Sequence, residues 1–169
     1  MNLRMVFGTP ERSKIPIIDT CWIDVKGDTA DGNWIEEEGQ ITFKLLKELM
    51  ANNVKPKDIF LISPFRAVTN RLWDFTRTFQ GISISTIHKV QGKEADIVVL
   101  VLGGNPSKPG ARNWAAQKPN LLNVAASRAK RRLYVIGDKK DWQTRPHFSE
   151  LAKNLPTNNN HIIKNEIIY

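Results

Sequence analysis

Two short apolar runs, joined by a polar stretch that carries a glycine, constrain this chain more than any other feature. Ile82 to Thr86 is the first run and Ile97 to Leu102 the second. Unbroken Val, Ile and Leu over so few residues is the pattern of strands buried on both faces, as in parallel sheets. Between the runs stand Thr86, His88, Lys89, Gln91, Gly92, Lys93, Glu94 and Asp96. A polar segment between two such strands belongs at a sheet edge, where open α/β sheets place their ligands. A hydroxyl, a base-edge reader, a flexible glycine and a carboxylate within this segment favour a site over a solvated connector.

The rest of the chain supplies the other layers. Residues 1 to 16, with Pro10 and Pro16, read as an entry segment. Ile15 to Ile18 and Trp22 to Val25 read as short extended pieces, closed by the turn Lys26-Gly27-Asp28. Asn33 and Glu36 have the spacing of a capping box at the head of a helix. Ile41, Leu45 and Leu49 recur at four-residue steps, widened by Leu46 and Met50, so that helix is expected to reach about Asn52. Glu36, Glu37 and Glu38 fall in its first turn, where the dipole favours negative charge. Successive helical residues point in different directions, so no metal site is expected there.

Ile59 to Ser63 is a further buried strand ended by Pro64, and a helix carrying Leu72, Trp73, Phe75, Thr76 and Phe79 follows. Gly103 to Gln117 is rich in Gly, Pro, Asn and Ser and reads as a mobile surface loop. Trp114 within it is either a buried anchor or a ring that stacks on a base. A helix over Asn120 to Arg131, a strand over Leu133 to Ile136 and a short helix between Pro146 and Leu155 complete the series. The tail, with Ile162, Ile163, Ile167 and Ile168, is an added edge strand or a frayed end.

This alternation indicates an α/β fold around a mostly parallel central sheet. A length of 169 residues suits one such domain with its own core, and 41% hydrophobic with 25% charged residues is ordinary globular composition. No run of about eighteen apolar residues occurs, so no membrane partner is expected. Cys21 is the single cysteine. Neither a disulfide framework nor a thiolate metal cluster is therefore expected, and a reducing, cytoplasmic setting fits. The formal net charge of +8 points to a polyanionic partner such as nucleic acid.

Three segments carry the remaining chemistry: Ile62-Ser63-Pro64-Phe65-Arg66, then Ser85 to Asp96, then Asn123-Val124-Ala125-Ala126-Ser127-Arg128-Ala129-Lys130 leading into Leu133 to Asp138. In this order and spacing they resemble motifs IV, V and VI of superfamily 1 helicases, in the branch of the nonsense-mediated-decay and Okazaki-flap helicases. The resemblance covers roughly Trp22 to Leu155. It implies a three-layer RecA-like (P-loop NTPase-like) fold, the second of two motor domains, expected over residues 17 to 156 with a tail from 157 to 169. It implies ATP with Mg²⁺, bound mainly by the N-terminal RecA-like domain of the same helicase, and single-stranded DNA or RNA as the track.

Roles follow from the same resemblance. Arg128 would be an arginine finger on the γ-phosphate, although a basic helix end would also place an arginine there. Gln91 would orient water or couple nucleotide and strand contacts, and Gly92 would let backbone approach the nucleotide. Glu94 would accept from a ribose hydroxyl or position the phosphate contacts, although it could also pair at the surface with Lys93 or Lys89. Arg66 would be a second phosphate sensor, in competition with Arg71, and Phe65 would stack on the base. Ser63, Thr86 and His88 would contact the nucleic-acid backbone.

The motor's other parts are missing from the sequence. No Gly-x-x-x-x-Gly-Lys-[Ser/Thr] loop and no carboxylate pair for Mg²⁺ are found, so the chain is expected to be half of an ATPase, inactive alone. Ser127 stands where relatives often have threonine and Val68 where many have glutamine. The alternative is a stand-alone, basic, non-hydrolysing α/β module that binds nucleic acid.

Overall fold

The structure, a computed structural model, describes residues 17–90 and 92–159, with residues 119–121 described in backbone alone. Its frame is set by the apolar runs. β1 (Cys21–Asp24), β4 (Ile59–Ser63), β5 (Ser83–Thr86), β6 (Ala95–Val101), β7 (Ala129–Gly137) and β8 (Thr157–Asn158) form a six-stranded sheet in the order β5-β4-β6-β7-β1-β8. Every pairing in it is parallel. β4 and the second half of β6 are buried throughout, as their unbroken aliphatic runs require. The run Ile82 to Thr86, expected to be buried on both faces, instead falls in the edge strand β5, whose alternating serines leave Ser83 exposed and Ile84 buried.

From β1 to β4 and β5 the chain steps toward one side of the sheet; from β5 to β6, β7 and β8 it steps back toward the other. Right-handed crossovers therefore put α1 (Glu36–Ala51) and α2 (Arg66–Leu72) on one face. The β5–β6 connection and α4 (Pro119–Arg128) lie on the other, where α4 packs on the 3₁₀ turn Ile87–Lys89. β4 and β6 are neighbours whose following segments leave toward opposite faces, so a crevice opens outside their carboxyl ends. Trp22, Ile23, Leu45, Leu46, Leu49, Leu61, Val98 and Val135 fill the layers between, and the Trp22 Nε1 donates to the Gly137 carbonyl at 3.0 Å.

Several local expectations give way to longer-range pairing. The capping box does not form, because Trp34–Ile35 (β3) pairs with Ala30–Asp31 (β2) as an antiparallel ribbon and α1 starts only at Glu36. The extended Ile35 precedes it with no side-chain cap, while the Asn33 carbonyl accepts from the Gly104 amide at 2.8 Å. The three glutamates divide as expected of a helix. Glu36 accepts from Trp34 Nε1, Glu37 from the amides of Asp28 and Thr29, and Glu38 turns inward to the Gly103 amide at 2.9 Å.

The helix after β4 ends at Leu72, and Trp73–Arg77 continues as a 3₁₀ turn whose Phe75 meets Phe43 edge-on at 5.4 Å. The Gly103–Gln117 stretch is only partly a loop: α3 (Gly110–Ala116) winds within it around a buried Arg112. The basic run after Arg128 is strand, not helix. Ala129 pairs with Ala95 and Arg132 with Ile97, and Arg132 turns inward to reach the Ile18 carbonyl at 3.3 Å. Ile17 and Ile18 lie against the core without joining a strand. α5 (Lys139–Trp142), capped by Asp138, and α6 (Phe148–Asn154) lead to β8, which adds an edge beside β1. The expected entry segment 1–16 and the isoleucine-rich tail beyond residue 159 lie outside the described residues.

Candidate functional site

Register separates the predicted site residues onto two rims of one sheet. Ser63 and Thr86 pair at the carboxyl ends of β4 and β5, so Phe65, Arg66 and His88, which follow them, belong to that rim. Ala95 and Ala129 pair at the amino ends of β6 and β7, so Glu94 and Arg128, which precede them, belong to the opposite rim. Between the rims runs the length of β6, about 20 Å at about 3.3 Å per residue.

At the amino rim, α4 delivers Arg128 as its last residue, half-buried. Its neighbours take up the nearby carboxylates: Lys130 Nζ lies 3.7 Å from Glu94, Arg131 Nε lies 3.7 Å from Asp96, and Arg132 turns inward toward Asp19 at 3.6 Å. The Arg128 Nε is buried and has no hydrogen-bond partner among the described residues. A buried guanidinium N–H without an acceptor costs about 1–3 kcal/mol or more, and an oxyanion supplied from outside would recover that cost.

Glu94, exposed, thus pairs with Lys130 rather than with Lys93 or Lys89. Gly92 lies two residues before it with φ +77, and a Cβ added there would meet nothing within 4 Å. Its left-handed backbone suits glycine and leaves open space for a ligand's approach. Gln91 lies outside the described residues.

At the carboxyl rim, Ser63 is fully buried and its Oγ accepts from the Phe65 amide at 3.2 Å, shaping the turn out of β4. Phe65 is buried too, its ring facing Trp114. Arg66 is exposed at the head of α2, whereas Arg71 is held by Asp31 at 3.1 Å and Glu36 at 3.6 Å, over the Trp34 ring. Thr86 is half-buried and His88 exposed at the start and middle of the turn that follows β5. Trp114, open in the sequence between anchor and stacking ring, is 42% exposed.

Sequence reasoning missed the groups that hold this rim from behind. Arg112 bonds the Gly103 carbonyl at 3.3 Å and pairs with Asp141 at 2.5 Å, and Arg145 takes the same carboxylate at 2.8 Å. Burial alone would raise the Asp141 carboxyl, but the two guanidinium hydrogen bonds hold it below the usual carboxylate range. Burial pushes the Glu38 carboxyl up to about 8, against the lowering effects of the Gly103 amide and Arg112. The paired glycines 103 and 104 were the available signal, since their positive φ and lack of side chains admit Phe65 on one side and Arg112 on the other. Among the described residues no group of three or more His, Cys, Asp or Glu could hold a metal ion, and no helix is long and apolar enough to cross a membrane.

Comparison with known proteins adds an independent line. A family model described as an AAA domain matches residues 7–140. The chain is 27% identical over 152 residues to the DNA replication ATP-dependent helicase/nuclease DNA2 of Xenopus laevis, covering 86% of this chain and 13% of that protein. It is 30% identical over 155 residues to the DNA polymerase alpha-associated DNA helicase A of Saccharomyces cerevisiae, covering 82% and 22%. An uncharacterized ATP-dependent helicase of Caenorhabditis elegans is 29% identical over 168 residues, covering 98% and 11%. The chain thus spans no more than about a fifth of these curated relatives.

Proposed function

Because the chain belongs to the AAA-domain family of superfamily 1 ATP-dependent helicases, as a carboxyl-terminal RecA-like domain, we propose that it serves as the half of the motor that completes an ATP site and grips a single strand. The observation that carries this reading is Arg128, with a buried Nε lacking an acceptor among the described residues, at the same rim as Gly92 and Glu94. A first motor domain, with its phosphate loop and carboxylates for Mg²⁺, would present the triphosphate to this rim. The planar, permanently charged fork of Arg128 then spreads over the γ-phosphoryl oxygens as charge develops there. Gly92 offers approachable backbone, and Glu94, steadied by Lys130, accepts from the ribose.

At the far rim, Thr86 and His88 face the strand's phosphates, and Ser63 sets the turn beneath them. Arg66 stands with this second group, so we assign it a phosphate of the strand instead of the γ-phosphate. Phe65 has its ring in the core and supports the rim from within.

The isolated chain is expected to turn over ATP negligibly. Joined to the first motor domain it should regain strand-stimulated hydrolysis, and Arg128→Ala should lower that turnover by about 10³-fold or more while ATP still binds. Full turnover by Arg128→Ala would refute the assignment. The net charge of +8 also suits a binding module that does not hydrolyse, in which case joining the first domain restores no turnover at all.

A further inference from the structure

We propose that the Trp114 indole is a stacking platform for one unpaired base of a single-stranded nucleic acid, and that Lys118 passes from the ring to the adjoining phosphate when the base arrives. The proposal deepens the strand-facing reading of the carboxyl rim and rests on it. Four observations carry it.

The first is placement. Trp114 sits where β4 and β6 send their following segments to opposite faces, with the Phe65 ring 6.4 Å and the His88 ring 5.9 Å from it. Open α/β sheets bind ligands in that crevice. The second is presentation. Arg112, two residues earlier, is locked inward by Gly103 and Asp141, and Asn113 Oδ1 accepts from Arg145 Nε at 3.1 Å. Two residues on a helix are about 200° apart, so the contacts that pin α3 turn Trp114 outward. A ring already fixed in place loses little freedom when a base stacks on it.

The third is the existing occupant. Lys118 Nζ lies 4.1 Å from the Trp114 ring centroid, a cation over a π face. An arriving base competes for that face, and the nearest polyanion charge for the displaced ammonium is the base's own phosphate. The fourth is charge. From Leu102 to Lys118, the segment that leaves β6 at this rim, the sequence contains no Asp or Glu, while Lys108 and Lys118 are exposed within it. A strand laid on this rim meets no carboxylate from that segment.

The test measures equilibrium binding of the 169-residue chain, by fluorescence anisotropy, to a short oligothymidylate, an oligouridylate and an abasic deoxyribose-phosphate strand of equal length. The wild type should prefer the thymidine strand to the abasic one by about 5- to 150-fold, the range that one aromatic–base stack supplies. Trp114→Ala should bind the thymidine strand no better than the abasic one, and Trp114→Phe should keep most of the preference. Uridine should behave as thymidine, because a ring face does not read the 2′-hydroxyl. Lys118→Ala should lower the slope of log affinity against log salt by about 0.7, one phosphate's share on a single strand. A base preference that survives in Trp114→Ala overturns the platform while leaving the strand-facing rim intact. Failure of the wild type to bind any of the three strands overturns both.

Discussion

Replacing Glu38 with glutamine keeps the side chain's length and an acceptor for the Gly103 amide, but removes an ionisation that burial opposes. Glu38 is 1% exposed; its Oε1 accepts from Gly103, and its Oε2 is buried with no partner among the described residues. Burial is the largest influence and raises the carboxyl from its ordinary 4.5 to about 8, with Asp138 and Glu37 adding to the rise and Gly103 and Arg112 opposing it. The folded protein therefore holds a proton that the unfolded chain releases. Stability from this group is fully present below about 4.5 and is lost as pH climbs through about 8. The gap corresponds to about 5 kcal/mol between the two ends of that interval. Urea unfolding of wild type and Glu38→Gln at about pH 5, 7 and 9 reads it directly, because the other titrating groups cancel in the difference. The variant should match the wild type at the acid end and exceed it by several kcal/mol at the alkaline end. Two stability curves that run parallel across the interval would refute the reasoning.

Two further outcomes follow from buried groups. Asp141→Ala should cost about 3 kcal/mol by urea unfolding, because it strips the carboxylate from Arg112 and Arg145, both of which lie inside the protein; a loss under about 1 kcal/mol would show that the guanidiniums find other acceptors. Cys21, buried in β1 with its thiol pushed up to about 12, should resist iodoacetamide at about pH 8 in the folded protein and react readily once denaturant is added.

The sheet was legible because its strands are marked locally. Ile59 to Ser63 is bounded by proline, Ile97 to Leu102 is unbroken, and the four-residue apolar step of α1 stops just before Asn53, whose φ of +66 ends the helix. The misread elements depend on partners far along the chain. Lys130 and Arg131 look like a helix end until Ala95 and Ile97 pair with that stretch as strand. Arg112 looks like a loop residue until Asp141, 29 residues on, receives it. Glu38 meets Gly103 across 65 residues, which no local pattern encodes. The site divides the same way. Its motifs stand out as residue strings, but only strand register shows that Arg66 and Arg128 occupy opposite rims.

The connection from Thr86 to Ala95 joins those rims in nine residue steps. Ile87–Lys89 coils into a 3₁₀ turn, at about 2 Å per residue, so the whole cord can stretch to only about 26 Å. It already crosses about 20 Å of sheet. That leaves it about 6 Å of slack. Its length alone caps how far the Glu94 end can move away from the His88 end.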